Sequence, residues 1–285
     1  MLAFASWNVL GTSSFTFKDQ GVNIIINIFF NTSVNAARGI AMQVNNIVSS
    51  FTNNFLMALR PQITKQYAEG KISESASLVY AGCRYSAYLV IVIGVPLMIN
   101  MDYLLSLWLG TVPPYTPAFL HIILIATLFR TIQLPLITAI HATGKIRFSQ
   151  LIISIVNFSE IPLAYLILAM GGNPYMSMLP TIFTAFLGTL VYLVCLRKLV
   201  SYYDMAFFVR QVLCRVIPIA FGSYIFSRLA NSYFIAPNLL TCLTSCCISV
   251  LIVISIIYLF GISAHEQHIL KTQISKAIHR LYRKQ

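Results

Sequence analysis

The stretch Asn35-Ala-Ala-Arg-Gly-Ile-Ala-Met-Gln-Val-Asn45, which continues to Asn53-Asn54, carries an arginine and several amides inside a strongly apolar chain. On a helical wheel its apolar residues fall on one side and its polar residues on the other. The polar side consists of Asn35, Arg38, Asn45, Asn46, Ser49, Ser50 and Asn53. Lipid cannot satisfy such a face, because each unpartnered polar group in hydrocarbon costs several kcal/mol. The face is therefore expected to line a water-filled cavity or to meet polar groups of another helix, which is typical of a transporter.

The composition of the whole chain predicts an all-α polytopic membrane protein. Of 285 residues, 58% are hydrophobic and only 9% are charged, against roughly 25% charged in soluble domains. Windows of about 20 mostly apolar residues predict about eight transmembrane helices. They fall at residues 3–30, 33–58, 78–100, 118–142, 147–170, 175–196, 210–229 and 238–261. The first two are less apolar than the others and would escape a strict hydropathy threshold, and Arg60-Pro61 marks the break after the second.

The distribution of lysine and arginine predicts the orientation. Fifteen of the 19 basic residues fall in one set of alternate loops and in the tail, and only Arg228 falls in the opposite set. Basic loops stay on the cytoplasmic side, so both ends of the chain are expected in the cytoplasm. Apolar residues at helical spacing among the basic residues of 263–285 predict an amphipathic tail helix on the anionic inner leaflet.

Further polar residues lie at membrane depth in other predicted helices. The first helix carries a polar stripe made of Asn8, Thr12, Thr16, Asp19, Asn23 and Asn27. Lys18 projects to the side of this stripe, so Lys18 and Asp19 need not pair. Arg130 lies near the middle of the fourth span and Glu160 lies in the fifth. Because ionisable groups at this depth are costly, we expect Arg38 and Arg130 to line a polar interior. Glu160 either neutralises an arginine or couples ion movement, as Asp19 also could.

The sequence contains no recognisable catalytic or metal-binding motif. It lacks a G-x-x-x-x-G-K-[ST] phosphate loop, an H-E-x-x-H zinc motif and a G-x-S-x-G nucleophile motif. Its six cysteines include no C-x-x-C pair. We therefore expect a protein that is not an enzyme and that holds neither metal nor cofactor.

Three segments carry a resemblance to a known family. They are Gln20-Gly-Val-Asn-Ile-Ile-Ile-Asn-Ile-Phe-Phe30, Val34-Asn-Ala-Ala-Arg-Gly-Ile-Ala-Met-Gln-Val-Asn45 and Ala58-Leu-Arg-Pro-Gln-Ile-Thr-Lys-Gln-Tyr-Ala68. Together they resemble bacterial polysaccharide flippases, which move O-antigen or capsule repeat units. These flippases belong to the multidrug/oligosaccharidyl-lipid/polysaccharide exporter superfamily and consist of two six-helix lobes.

The resemblance implies that this chain is similar to the second lobe alone. Residues 1–200 would form that lobe, 201–262 two additional transmembrane helices and 263–285 the basic cytoplasmic tail. Met1 falls where family members are in mid-chain, so we expect a truncated or partial chain. Its partner would be a separately encoded first lobe or a second copy of itself.

The implied function is to flip a polyprenyl-pyrophosphate sugar repeat unit across the bacterial cytoplasmic (inner) membrane for polysaccharide or lipopolysaccharide biosynthesis. Arg38 and Arg130 would bind phosphate, and asparagines including Asn23, Asn35, Asn45, Asn46 and Asn53 would meet sugar hydroxyls. Two main alternatives remain open. One is a cation-coupled multidrug exporter of the same superfamily, with Asp19 or Glu160 as the coupling carboxylate. The other is a membrane-embedded polysaccharide polymerase or ligase. A non-transporting scaffold of such a pathway is a further possibility. Membrane lipids are expected partners, and nucleic acid is not.

Overall fold

The computed structural model describes residues 2–232, 238–262 and Glu266, and these residues form helices and short connections without any β-strand. The α-helices are α1 (Leu2–Phe29), α2 (Thr32–Ala68), α3 (Ile72–Ile99), α4 (Met101–Leu109), α5 (Thr116–Ala142), α6 (Arg147–Ala169), α7 (Leu179–Leu199), α8 (Met205–Phe208), α9 (Cys214–Asn231) and α10 (Leu239–Ile256). A 3₁₀ turn at Pro174–Met178 leads into α7, and π-helical turns at Val209–Leu213 and Ile257–Gly261 adjoin α9 and α10.

The predicted all-α membrane architecture is confirmed. Six helical segments of the described chain are long and apolar enough to cross a membrane, beginning with α3. Helices α1 and α2 have 28 and 37 residues, more than the roughly 20 that span a bilayer core. They are too polar to count on hydropathy alone, as the sequence indicated, because one side of each carries amides and charged groups.

The expected break at Arg60-Pro61 is wrong. Helix α2 continues through Pro61 to Ala68. Pro61 is exposed while Ile63, two residues later, is fully buried, so packing beyond the proline keeps the chain helical despite the lost backbone hydrogen bond. The turn comes at Gly70, whose φ of 76° suits glycine. Helix α3 then begins at Ile72, six residues before the start of the predicted third span, and it contains Arg84.

Packing among five helices creates the polar interior of the molecule. Helix α1 packs along α6, α2 packs on α5, and α5 packs on α7, whereas the consecutive helices α1 and α2 touch only slightly. The space between α1 and α2 is therefore open, and α5, α6 and α7 form its inner wall. Helices α9 and α10 pack on each other and on α3, and none of the described residues that line the open space comes from them.

The predicted division at residues 200 and 262 stays a prediction. The expected tail helix at 263–285 lies outside the described residues, apart from Glu266, which forms an ion pair with Arg84.

Candidate functional site

The space between α1 and α2 is a cavity of about 500 Å³, called here the main cavity. Its wall comes from α1, α2, α5, α6 and α7. The polar residues on that wall include Asn8, Thr12, Asn45, Asn46, Ser49, Asn53, Arg130, Gln133, Gln150, Asn157 and Thr184. Among the described lining residues none is an aspartate or a glutamate. The polar part of the wall thus consists of amides, hydroxyls, one arginine and the imidazole of His141, next to apolar side chains.

Hydrogen bonds between helices fix several of these side chains. The Thr127 hydroxyl donates to Asn45 Oδ1 at 2.6 Å, which joins α5 to α2. Gln133 Nε2 donates to the Ala185 carbonyl at 2.6 Å, which joins α5 to α7. Buried polar groups need such partners, so part of the polar surface holds the bundle together. The more exposed amides of Asn46 and Asn53 remain accessible from the cavity.

Arg130 is the cationic group of the main cavity wall. It lies in the middle of α5, its side chain is 23% exposed, and its Nη2 lies 4.0 Å from Glu160 Oε2. Its guanidinium stands 4.8 Å from the centroid of the Phe15 ring. The aromatic ring and the carboxylate hold the guanidinium of Arg130 in a defined position. Part of the guanidinium still faces the cavity.

Behind Arg130, α1 and α6 share a buried ion pair. Lys18 Nζ lies 2.9 Å from Glu160 Oε2, and the two side chains are 1% and 0% exposed. Thr181 and Thr184 on α7 donate hydrogen bonds to the two oxygens of Glu160 at 2.6 and 2.8 Å. The carboxylate is therefore surrounded by donors from three helices, which compensates the cost of burying its charge.

Arg38 belongs to a second cavity, of about 470 Å³, lined by Asp19, Asn23, Asn35 and neighbouring residues of α1 and α2. Its side chain is almost fully buried. It donates to Asn23 Oδ1, forms a 3.6 Å ion pair with Asp19, and directs Nε at the sulfur of Met178 at 3.3 Å. Nε and Nη1 therefore bond within the protein, whereas Nη2 is buried without a hydrogen-bond acceptor among the described residues.

The structure divides the predicted site residues into two groups. Arg130, Asn45, Asn46 and Asn53 line the main cavity. Arg38, Asn23, Asn35 and Asp19 line the second cavity, and Met42 contributes to both. Glu160 lies in neither wall; it is buried behind Arg130.

Sequence reasoning missed the role of Lys18. The expectation that Lys18 and Asp19 need not pair is not what the structure shows, since Lys18 Nζ lies 3.3 Å from Asp19 Oδ1 as well as near Glu160. The long lysine side chain reaches a carboxylate that the wheel projection places on a different side. Among the described residues Glu160 has four partners, Lys18, Arg130, Thr181 and Thr184, of which the sequence analysis predicted only an arginine. The i,i+3 spacing of the two threonines places both hydroxyls on one face of α7 and could have indicated them.

Comparison with known protein families matches the chain to a family model. The family model MatE matches residues 20–166, about half of the chain, from the second part of α1 to most of α6. No curated protein and no solved structure matches the chain. The matched region contains α2, α5 and most of α6, whereas α7 and the part of α1 that lines the main cavity lie outside it. The chain therefore belongs to the MatE family, whose members are transporters of the multidrug/oligosaccharidyl-lipid/polysaccharide exporter superfamily.

Proposed function

We propose that this transporter moves a lipid-linked oligosaccharide across the bacterial cytoplasmic membrane for polysaccharide biosynthesis. The sugar–pyrophosphate head group would occupy the main cavity while the polyprenyl tail stays in lipid. A lined path is needed because the free energy of taking sugar hydroxyls and phosphates through hydrocarbon is prohibitive.

The observation that supports this proposal best is the chemistry of the main cavity wall. Its described lining residues carry many amides and hydroxyls and one arginine, but no carboxylate. Amides and hydroxyls both donate and accept hydrogen bonds, as sugar hydroxyls require. A partly exposed guanidinium supplies charge-assisted, bidentate hydrogen bonds to phosphate. In this proposal Arg130 binds the phosphate, and Asn46 and Asn53 bind the sugar hydroxyls.

A second lobe is part of the same proposal. The main cavity is open where α1 and α2 part, so one bundle covers a polar head group on one side only. Alternating access in secondary transporters is a movement of one repeat or bundle against another around a central site. The partner would be a separate six-helix lobe or a second copy of this chain.

A cation-coupled multidrug exporter is the second candidate function, and one observation favours it. Asp19 is 19% exposed in the second cavity, close to Arg38 and Lys18. A carboxylate in this position could bind a coupling ion or attract a cationic substrate. In that case the second cavity, and not the main one, would carry the substrate specificity.

Ligand binding to the purified chain distinguishes the two functions. We expect a polyprenyl-pyrophosphate oligosaccharide to bind more tightly than a lipophilic cation, and Arg130→Gln to weaken this binding about tenfold through the loss of charged hydrogen bonds. Asp19→Asn is the control and should leave it nearly unchanged. Preferential binding of the cation, abolished by Asp19→Asn, would favour the exporter instead. Movement of bound substrate is then measured in liposomes, with the chain alone and with a co-expressed first lobe.

A further inference from the structure

A polar crevice separate from the main and second cavities lies between α3 and the segment from Tyr202 to Arg215. It has a volume of about 460 Å³. Its wall includes Arg84, Arg215, Gln211 and two serines, Ser73 and Ser77. Aromatic rings of Tyr80, Tyr202 and Phe207 complete the wall. Cations and hydroxyls next to aromatic surface suit a ligand with a phosphate group and an apolar body.

Arg84 is the central cation of this crevice. It is only 8% exposed, and its Nη2 lies 2.5 Å from Glu266 Oε1. Among the described residues its Nε–H has no hydrogen-bond acceptor. A buried guanidinium donor without an acceptor costs free energy, so this atom is a candidate for binding an oxyanion that enters the crevice. Arg215 on the facing helix supplies a second positive charge.

The one aspartate among the described residues of the crevice wall, Asp204, is held by backbone donors. Both oxygens of Asp204 accept hydrogen bonds from the backbone of α8, from Ala206 N at 3.2 Å and Phe207 N at 3.3 Å. Its carboxylate thus serves as the N-cap of that helix. Glu266 likewise is engaged, with Arg84 and with the Tyr85 hydroxyl at 3.0 Å.

The depth of the crevice indicates where the phosphate comes from. Arg84 lies about 22 Å along α3 from Ile99, and Arg215 about 24 Å along α9 from Asn231, at 1.5 Å per residue. Ile99 and Asn231 are the last residues of these helices. In a hydrocarbon core about 30 Å thick, both arginines therefore lie near the membrane boundary opposite to those ends. The basic loops predict that this boundary is the cytoplasmic one, where anionic lipids attract basic residues.

We infer that the crevice between α3 and the Tyr202–Arg215 segment binds the phosphate head group of an anionic phospholipid from the cytoplasmic leaflet. Arg84 and Arg215 contact the phosphate, Ser73, Ser77 and Gln211 hydrogen-bond its oxygens or the glycerol hydroxyls, and the aromatic rings pack on the start of the acyl chains. This site is separate from the main cavity and does not depend on the identity of the transported substrate.

Native mass spectrometry of the purified chain with equal amounts of phosphatidylglycerol and phosphatidylcholine tests the proposal. We expect one phosphatidylglycerol to be retained in preference to phosphatidylcholine. The double variant Arg84→Gln/Arg215→Gln should reduce this preference about tenfold. Arg210→Gln removes one charge from the same segment at an exposed position outside the crevice, and it should retain the preference. An equal loss in Arg210→Gln, or no loss in the double variant, would overturn the proposal.

One further variant and two soluble competitors complete the test. Ser77→Glu places a negative charge in the crevice at an exposed position, so it should abolish the preference even if the arginine variants fail to fold; an unchanged preference would contradict the site. Glycerol 3-phosphate and inorganic phosphate are added as soluble competitors. Failure to displace the lipid supports a leaflet source, whereas full displacement would show that the crevice takes a water-borne phosphate and would overturn the lipid assignment.

Discussion

At the scale of single residues, the charged groups divide into those committed to the protein and those available to a ligand. Lys18 and Glu160 are buried and paired, and Arg38 is buried among Asn23, Asp19 and Met178, with its Nη2 lacking a hydrogen-bond acceptor among the described residues. Arg130 remains partly exposed on the cavity wall. The sequence predicted that both arginines lie at depth in a polar interior, but it could not rank them, because the rank depends on contacts between different helices, such as Arg38 with Asn23 and Arg130 with Glu160.

The Lys18–Glu160 pair gives a prediction about stability. Glu160→Gln leaves a buried lysine without its main counter-charge and should lower stability by about 3–5 kcal/mol. Lys18→Met should have an effect of the same kind. The double variant Lys18→Met/Glu160→Gln removes both charges and should recover most of the loss, as measured by unfolding in a titration with SDS. Additive losses in the double variant would show that the two residues do not compensate each other.

At the scale of elements, close helix contacts define the inner wall of the main cavity. The hydrophobic pattern predicted six spans that are apolar enough to be read from composition and the less apolar α1 and α2, but not the short helices α4 and α8. It failed at Pro61, where packing of Ile63 extends α2 beyond the proline. It also gave no information on which helices pack together, and the separation of α1 from α2 that opens the main cavity follows only from the three-dimensional contacts.

Gly82 tests one of these helix contacts. A Cβ at Gly82 would lie 2.5 Å from Leu59 Cδ2 on α2 and 3.3 Å from Pro135 Cγ on α5. Gly82→Val should therefore force α2, α3 and α5 apart and cost about 1–3 kcal/mol. Gly94→Ala in the same helix is the control, because a Cβ there meets nothing within 4 Å. Thermal stability in detergent compares them; an equal effect of both substitutions would argue against tight packing at Gly82.

At the scale of the whole molecule, the all-α membrane architecture and the MatE family assignment agree with each other. The orientation in the membrane and the need for a second lobe are predictions from charge distribution and from the open main cavity. That Arg130, Asn45, Asn46 and Asn53 line a polar interior could be predicted from the sequence, because lipid cannot satisfy polar groups at this depth; their role as a binding site stays a prediction. The division into two cavities could not be predicted, since it arises where Arg38 turns towards α1 and away from Arg130.

The predicted topology has a direct experimental check. Single cysteines placed beside Lys71, Lys145 or Lys198 in a cysteine-free chain should react with impermeant reagents only from the cytoplasmic side. A cysteine beside Pro113 should react only from the outside, because the basic residues are concentrated on the opposite side. Labelling of the Lys145 position from outside would invert or invalidate the eight-span arrangement.

The central claim is that the main cavity holds the head group of a lipid-linked oligosaccharide. It is tested most directly by the rate at which a cysteine at position 46, in the cysteine-free chain, reacts with a thiol reagent. Added polyprenyl-pyrophosphate oligosaccharide should slow modification of Asn46→Cys several-fold. Thr64→Cys, exposed on the same helix but outside the cavity, should react at an unchanged rate. Equal rates with and without ligand at position 46, or protection by a lipophilic cation alone, would contradict the account.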